Sequence, residues 1–90
     1  MSPYQLRLFV SGPNPLCRKA ERAIRELLIE RGVAYELDVI DVLADPDAAE
    51  EYALVATPTL ECTAPPPVRR VVGYYEHYAE VFDALGIGDG

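Results

Sequence analysis

Hydrophobic residues along the chain recur at a spacing of two in some stretches and of three to four in others, which predicts alternating strands and helices. Leu6, Leu8 and Val10 alternate with Arg7 and Phe9, and this predicts a first strand over Tyr4–Val10. A helical stripe follows, made of Leu16, Ala20, Ala23, Ile24, Leu27 and Leu28. The other predicted elements are a strand at Ala34–Asp41, a helix at Pro46–Leu54, strands at Thr59–Thr63 and Val68–Val72, and a helix marked by Tyr75, Tyr78, Phe82 and Leu85.

Two helix starts carry the same signal, a short polar residue followed by proline. Asn14 precedes Pro15, and Asp45 precedes Pro46. Proline is favoured at the first helical position, because its missing N–H would have no partner there. We therefore expect the side chains of Asn14 and Asp45 to cap the two helices.

The predicted element order is βαβαββα, which is the order of the thioredoxin-like fold in the α/β class. A strand–helix–strand opening implies a parallel pair with a right-handed crossover, and the last two strands are close enough in sequence to pair antiparallel. Ninety residues suffice for one domain, so residues 1–90 are expected to form a single domain. The final stretch, Gly86 to Gly90, is expected to fray.

The charge of the chain is negative and unevenly distributed. Lys and Arg number 8 against 15 Asp and Glu, for a net charge of −7. Residues 32–66 carry eight of the acids and no lysine or arginine, whereas residues 18–31 carry five basic residues. Nucleic-acid binding is disfavoured, since it needs a clustered basic surface. A protein partner with a complementary charge pattern fits the asymmetry, and ordinary solubility is equally compatible with it.

Several other classes of protein lack support in the sequence. No apolar run approaches the roughly 20 residues of a membrane span, and no secretory signal is visible, so a cytoplasmic protein is expected. Two cysteines make no disulfide framework. The single histidine, His77, has no Cys/His cluster around it, which argues against a metal site. No cofactor is predicted.

The fold invites a redox hypothesis. Thioredoxin-like enzymes carry their reactive thiols at the start of the first helix, where the helix dipole and nearby cations stabilise a thiolate. Pro13–Leu16 occupy that position here, and there is no Cys-x-x-Cys motif. Cys17 is the nearest thiol and adjoins Arg18 and Lys19, so a glutaredoxin-like monothiol protein is the alternative function. However, Cys17 shares the spacing of the apolar stripe, and packing in the core is the favoured interpretation.

One long segment carries a family resemblance. Val39–Gly73 resembles the KaiB family of circadian clock proteins, and the opening strand and loop, Leu6–Pro15, resemble the family's first strand and loop. The chain departs from the family after Gly73, where Tyr74-Tyr75-Glu76 replace an Asp-Leu-Ser-like stretch. The matching pieces are VIDVL (Val39–Leu43), Pro46, AEE (Ala49–Glu51), ATPTL (Ala56–Leu60) and PPPVRRVVG (Pro65–Gly73).

The resemblance implies a non-enzymatic regulator. It implies binding to a KaiC-like hexameric ATPase and, with that protein, to a KaiA-like protein; a KaiB-like domain also occurs in a clock-output histidine kinase. The expected contacts are the first helix and the exposed edge of the second strand. By position the candidate residues are Lys19, Arg22 and Arg25 on the helix, and Tyr35, Leu37 and Val39 on the strand. The alternative for the arginines is a solvated helix face with the ion pairs Glu21–Arg25 and Arg22–Glu26.

The resemblance also implies a metamorphic protein, with a tetrameric ground-state fold as the alternative to a monomeric thioredoxin-like fold. The prolines Pro58, Pro65, Pro66 and Pro67 are candidates for bonds that differ in isomer between the two folds, or else for a rigid connector. We expect a cis Thr57–Pro58 bond in the thioredoxin-like form. The last segment has a helical period, which favours the thioredoxin-like monomer over the tetramer.

Overall fold

A four-stranded sheet with helices on both faces organises the computed structural model, which describes residues 3–88. The strand order is β2-β1-β3-β4; β1 is parallel to β2 and antiparallel to β3, and β4 is antiparallel to β3. The predicted element order is confirmed. The elements are β1 (Tyr4–Val10), α1 (Pro15–Glu30), β2 (Tyr35–Asp41), α2 (Pro46–Glu51), β3 (Thr59–Ala64), β4 (Arg69–Val72) and α3 (Tyr78–Leu85).

The main core lies between the sheet and the helices α1 and α3. Leu6, Leu8 and Val10 of β1 point to this side, because alternate residues of a strand share a face. They meet Ala20, Ile24 and Leu28 of α1 and Val81, Phe82 and Leu85 of α3. Leu16, which the helical spacing places in the buried stripe, is instead 47% exposed, because it lies in the first turn of α1.

The opposite face of β1 is buried as well, under α2. Phe9 has no exposed surface and its ring lies 5.1 Å from that of Tyr52, the C-cap residue of α2. The helix ends at Glu51 and does not continue to Leu54. Ala53 adopts a left-handed conformation (φ 53°), and the N–H of Leu54 donates to the carbonyl of Ala49 at 2.8 Å, which closes a Schellman motif.

Only one of the two predicted side-chain caps forms. Asn14 accepts hydrogen bonds from the N–H groups of Leu16 (2.9 Å) and Cys17 (3.3 Å) at the start of α1. Asp45 makes no such bond. Its backbone (φ −131°, ψ 82°) departs from the extended conformation of Asn14, and the Asp45 carbonyl accepts from the N–H of Ala48 instead.

The start of α3 and the residues that follow the helix differ from the sequence expectation, whereas the helix ends at Leu85 as expected. The helix begins at Tyr78, and the helical spacing of Tyr75 reflects edge-on packing of its ring on Tyr78 at 6.4 Å. The residues after the helix are anchored as far as Gly88, since Ile87 is fully buried and its carbonyl accepts a 2.7 Å bond from Arg31. Expected fraying of Gly86–Gly88 is therefore wrong, and residues 89 and 90 lie outside the described residues.

A buried carboxylate joins three strands on the α2 side of the sheet. Glu61 of β3 is 5% exposed and pairs with Arg7 of β1 at 3.1 Å and with Arg70 of β4 at 2.7 Å. Arg70 also donates to the carbonyls of Tyr52 (2.8 Å) and Ala53 (3.3 Å). These carbonyls lie at the C-terminus of α2, where a cation is favourable. Glu61 thus holds the sheet together and, through Arg70, fastens α2 to it.

We predict that Glu61→Ala lowers the free energy of unfolding by about 3 kcal/mol, because it leaves two guanidinium groups without their buried counter-ion. Glu61→Gln, which keeps a hydrogen-bond acceptor, is expected to cost about half as much. The matched control is Glu21→Ala, which breaks the exposed Glu21–Arg25 pair and should cost at most about 0.5 kcal/mol. Urea unfolding measures all three, and an equal cost for Glu61→Ala and Glu21→Ala contradicts the prediction.

Candidate partner-binding surface

Strand β2 forms one edge of the sheet and supplies three of the predicted binding residues. Its register places Tyr35, Leu37 and Val39 beside Tyr4, Leu6 and Leu8, so their side chains share the α1 face. Tyr35 and Leu37 are half-buried against the core, and Val39 is 37% exposed. No strand among residues 3–88 pairs with the outer edge of β2. The strand therefore offers mainly its backbone N–H and C=O groups to a partner.

Helix α1 carries the three basic candidates on its solvent side, and each has a different environment. Lys19 lies 6.0 Å from the ring of Tyr74, near the N-terminal half of the helix. Arg25 pairs with Glu21 at 3.0 Å, as one of the expected ion pairs requires. The expected Arg22–Glu26 pair is absent from residues 3–88, and Arg22 forms no ion pair with them. Among residues 3–88, Arg22 and Lys19 are thus the two candidates without an ion pair.

An apolar residue that sequence reasoning missed lies beside these arginines. Ile29 is 70% exposed and lines a shallow groove on α1 with Arg18, Glu21, Arg22, Arg25 and Glu26. The sequence did contain a signal for Ile29, because its spacing places it outside the buried stripe of α1. A large apolar residue on the solvent side of an amphipathic helix often marks a contact surface.

The structure brings the two sets of candidates to the same side of the sheet. Helix α1 connects β1 to β2 and packs on the face to which Tyr35 and Leu37 contribute. Within residues 3–88 no hydrogen bond or ion pair joins the basic residues of α1 to the β2 residues. They are two separate surfaces, an outer helix face and a strand edge.

The prolines lie at both ends of β3. Pro58 is buried immediately before the strand, and its carbonyl accepts a 2.8 Å bond from the N–H of Gly73. Pro65, Pro66 and Pro67 form the exposed connector to β4. The Thr57–Pro58 bond is cis, as expected, and the bonds Ala64–Pro65 and Pro66–Pro67 are also cis.

The loop before α1 is tied to the end of β2 by one carboxylate. Oδ1 of Asp41 accepts hydrogen bonds from the N–H groups of Gly12 and Leu43, both at 2.9 Å. The Gly12 bond, followed by that of Leu43, holds the pKa of Asp41 below its ordinary value. On the other side of the loop, the hydroxyls of Ser11 and Thr57 are 2.8 Å apart. This end of the sheet is thus positioned by hydrogen bonds.

Both thiols are part of the core. Cys17 is 2% exposed and Cys62 is fully buried, and neither forms a disulfide. Beside them Tyr78 is also buried, and this burial raises the pKa of its hydroxyl. A reactive thiol needs an exposed, electropositive site, which the position of Cys17 does not provide. The geometry therefore favours the core interpretation over the monothiol alternative.

Neither a metal cluster nor a membrane helix is found in the described part of the chain. Residues 3–88 contain no group of three or more His, Cys, Asp or Glu side chains that could hold a metal ion. No helix within the same range is long and apolar enough to cross a bilayer.

Comparison with known proteins identifies the family. The profile of the KaiB domain matches residues 7–86. The chain belongs to the KaiB family. The circadian clock oscillator protein KaiB of Prochlorococcus marinus strain MIT 9303 is 49% identical over 78 residues, which cover 81% of this chain and 65% of that protein. KaiB of Trichodesmium erythraeum is 46% identical over 79 residues, 81% of this chain and 75% of that one. The chain thus spans about two thirds to three quarters of the length of these curated KaiB relatives.

Solved structures agree with the observed fold. The N-terminal domain of SasA from Synechococcus elongatus superposes with a TM-score of 0.71 at 30% identity, over 94% of this chain and 77% of that one. Chloroplastic thioredoxin z superposes with a TM-score of 0.77 at 20% identity, over 97% of this chain and 79% of that one, and this likeness shows the fold alone. The KaiB-family chain therefore has the thioredoxin-like fold.

We predict that iodoacetamide alkylates both thiols about two orders of magnitude more slowly in the folded protein than in the denatured protein. The reason is that alkylation requires an opening of the core. The measurement is the alkylation rate at neutral pH, and Cys17→Ala and Cys62→Ala variants assign the two sites. Fast alkylation of Cys17 alone in the folded state contradicts the prediction and restores the redox alternative.

Proposed function

We propose that this chain is a non-enzymatic regulator of the circadian-clock type that binds a KaiC-like hexameric ATPase and modulates its cycle of phosphorylation and ATP hydrolysis. The observation that carries the proposal is the match to the KaiB domain over residues 7–86, together with relatives named as circadian clock oscillator proteins. A KaiA-like protein and a clock-output histidine kinase are further candidate partners, and the proposed location is the cytoplasm.

The two candidate surfaces support this proposal physically. The outer face of α1 offers Arg22, whose charge is not neutralised by a described residue, next to the exposed Ile29. An apolar anchor beside an arginine is a frequent composition of the energetically important part of a protein interface. The free edge of β2 suits the addition of an extended segment, in which main-chain hydrogen bonds supply affinity.

We further propose that residues 1–90 act as one domain, that it is a monomer, and that exchange with a second fold involves the half of the chain after about residue 50. Pro58, Pro65, Pro66 and Pro67 enclose β3 in this half and are the candidate control points. A partner that binds one of two folds can shift the balance between them, provided that they differ by a few kcal/mol.

For the binding surface we predict that Arg22→Glu weakens capture of a purified KaiC-like ATPase by about tenfold, since it turns an attractive interface charge into a repulsive one. Arg25→Glu should have a smaller effect, because Arg25 is already paired with Glu21. A quantitative pull-down measures both.

The control for this experiment is Val68→Glu, which adds one acidic side chain at an exposed position before the opposite edge strand. It should bind the ATPase like the original chain. Equal capture of Arg22→Glu and the original chain contradicts the role of α1, and no capture by any of the proteins contradicts the choice of partner.

For the oligomeric state we predict that the chain sediments as a monomer at all concentrations, because its last described segment is the helix α3 packed on α1. Analytical ultracentrifugation over a wide concentration range is the measurement. A tetramer that grows with concentration would show that the alternative assembly is populated.

A further inference from the structure

A groove beside α3 is separate from both candidate binding surfaces. It lies between the outer side of α3 and β4, the strand at the opposite edge of the sheet from β2, and it shares no lining residue with the groove on α1. Its volume is about 480 Å³, within the range of about 300 to 1,000 Å³ that is usual for ligand sites. We call it the α3 groove, and its lining residues include Val71, Tyr75, Glu76, His77, Glu80 and Val81.

The α3 groove has an aliphatic floor and one aromatic wall. Val71 of β4 is half-buried and Val81 of α3 is 7% exposed, so together they form a small aliphatic surface. Tyr75 is 43% exposed, and its ring stands edge-on to that of the buried Tyr78, with centroids 6.4 Å apart. Because the contact with Tyr78 holds the ring in place, the remainder of the Tyr75 ring is available to a ligand.

Two carboxylates give the α3 groove a negative charge. Glu76 and Glu80 are exposed, and neither forms an ion pair or a side-chain hydrogen bond within residues 3–88. No lysine or arginine is among the lining residues. Glu80 lies in the first turn of α3, where a carboxylate interacts favourably with the helix dipole. This accounts for the sign of its charge, but it does not account for the exposed ring of Tyr75 in the same groove.

Part of the α3 groove comes from the stretch in which the chain departs from the KaiB family pattern. Tyr74-Tyr75-Glu76 follow Gly73 in place of an Asp-Leu-Ser-like stretch, and two of these three residues line the groove. The aromatic wall and one of the two carboxylates therefore belong to this chain and not to the shared pattern. The regulator function proposed above leaves both of them without a role.

We propose that the α3 groove docks a segment of a partner protein in which an aliphatic residue is flanked by arginine or lysine. The aliphatic side chain lies over Val71 and Val81, and the basic side chains lie against Glu76 and Glu80. Arginine and lysine can cover apolar surface with their methylene groups while their charged heads stay in water. The face of the Tyr75 ring also attracts a cation. Complementary charge gives this contact its specificity. The inference goes beyond the proposed function, because it uses neither α1 nor β2.

The test uses the isotope-labelled full chain and three synthetic peptides. The arginine peptide is Gly-Ser-Arg-Leu-Arg-Ser-Gly, the glutamate peptide has glutamate in place of both arginines, and the serine peptide has serine in place of leucine. NMR titration gives the dissociation constants and the perturbed amides.

We expect the arginine peptide to perturb residues 71–84 and to bind about tenfold more tightly than the glutamate peptide, because attraction to two carboxylates is replaced by repulsion. The serine peptide should bind about fivefold more weakly than the arginine peptide, since less aliphatic surface is removed from water.

Variants of the chain separate a local effect of the α3 groove from the net charge. Glu76→Lys combined with Glu80→Lys should reverse the preference between the arginine and glutamate peptides. Glu76→Gln combined with Glu80→Gln, which adds no cation near the start of α3, should reduce the preference to about threefold. The matched control is Glu36→Lys combined with Asp38→Lys, which makes the same charge change at two exposed residues of β2, on the other edge of the sheet. It should leave the preference near its original value.

A second pair of variants tests the aromatic wall. Tyr75→Phe keeps a ring and should bind the arginine peptide within about twofold of the original chain. Tyr75→Leu keeps an apolar side chain without a ring and should weaken binding by about threefold, because the attraction of the ring for a cation is lost.

Four results overturn the proposal: no binding of the arginine peptide, equal binding of the arginine and glutamate peptides, amide shifts centred on residues 15–30 or 35–41 in place of residues 71–84, or a preference that the β2 control alters as much as the groove variants. Unchanged binding by Tyr75→Leu overturns the part assigned to the aromatic ring. The ATPase pull-down tests different residues, so its failure together with selective binding of the arginine peptide would reject the regulator function and leave the α3 groove as a docking site.

Discussion

The burial of one carboxylate between two guanidinium groups is the constraint on which the α2 side of this structure depends. Glu61 is in register with both Arg7 and Arg70, so a shift of either neighbouring strand by one residue would leave a buried charge unpaired. A buried, unpaired charge is far more costly than an exposed one. Because Arg70 also binds the carbonyls at the end of α2, the same interaction holds the sheet register and the helix that covers Phe9.

The opposite side of the sheet depends on apolar packing and on a second arginine. Helices α1 and α3 bury alternate residues of β1, and Arg31 at the end of α1 binds Asp83 and the carbonyls of Ala79 and Ile87. Helices pack on both faces of the sheet, and the solvent side of α1 and the outer edge of β2 remain unpaired within residues 3–88. Both thiols of this KaiB-family chain are enclosed in the core.

The charges divide the molecule in a way that suits two different contacts. The basic side chains of α1 suit an acidic surface, and the acids of β2 suit a basic one. On α1, exposure of Ile29 adds an apolar element. On β2, the side chains nearest the core are partly buried, so an added strand would depend on backbone hydrogen bonds and on the alternate acidic positions.

The amino-acid sequence by itself determined the order of the elements, the alternation of β1, the cap at Asn14 and the family, because these depend on local periodicity, local backbone chemistry and consecutive residues. It also indicated that Cys17 belongs to the apolar stripe. Other features depend on contacts between distant parts of the chain. The left-handed conformation of Ala53 ends α2 before the predicted Leu54. Ile87 is buried in the core, and Arg31 binds its carbonyl. The pairing of strands places Asp38, Arg7, Glu61 and Arg70 in one row. Only the tertiary structure decided these, because register and burial arise when strands far apart in sequence pack together.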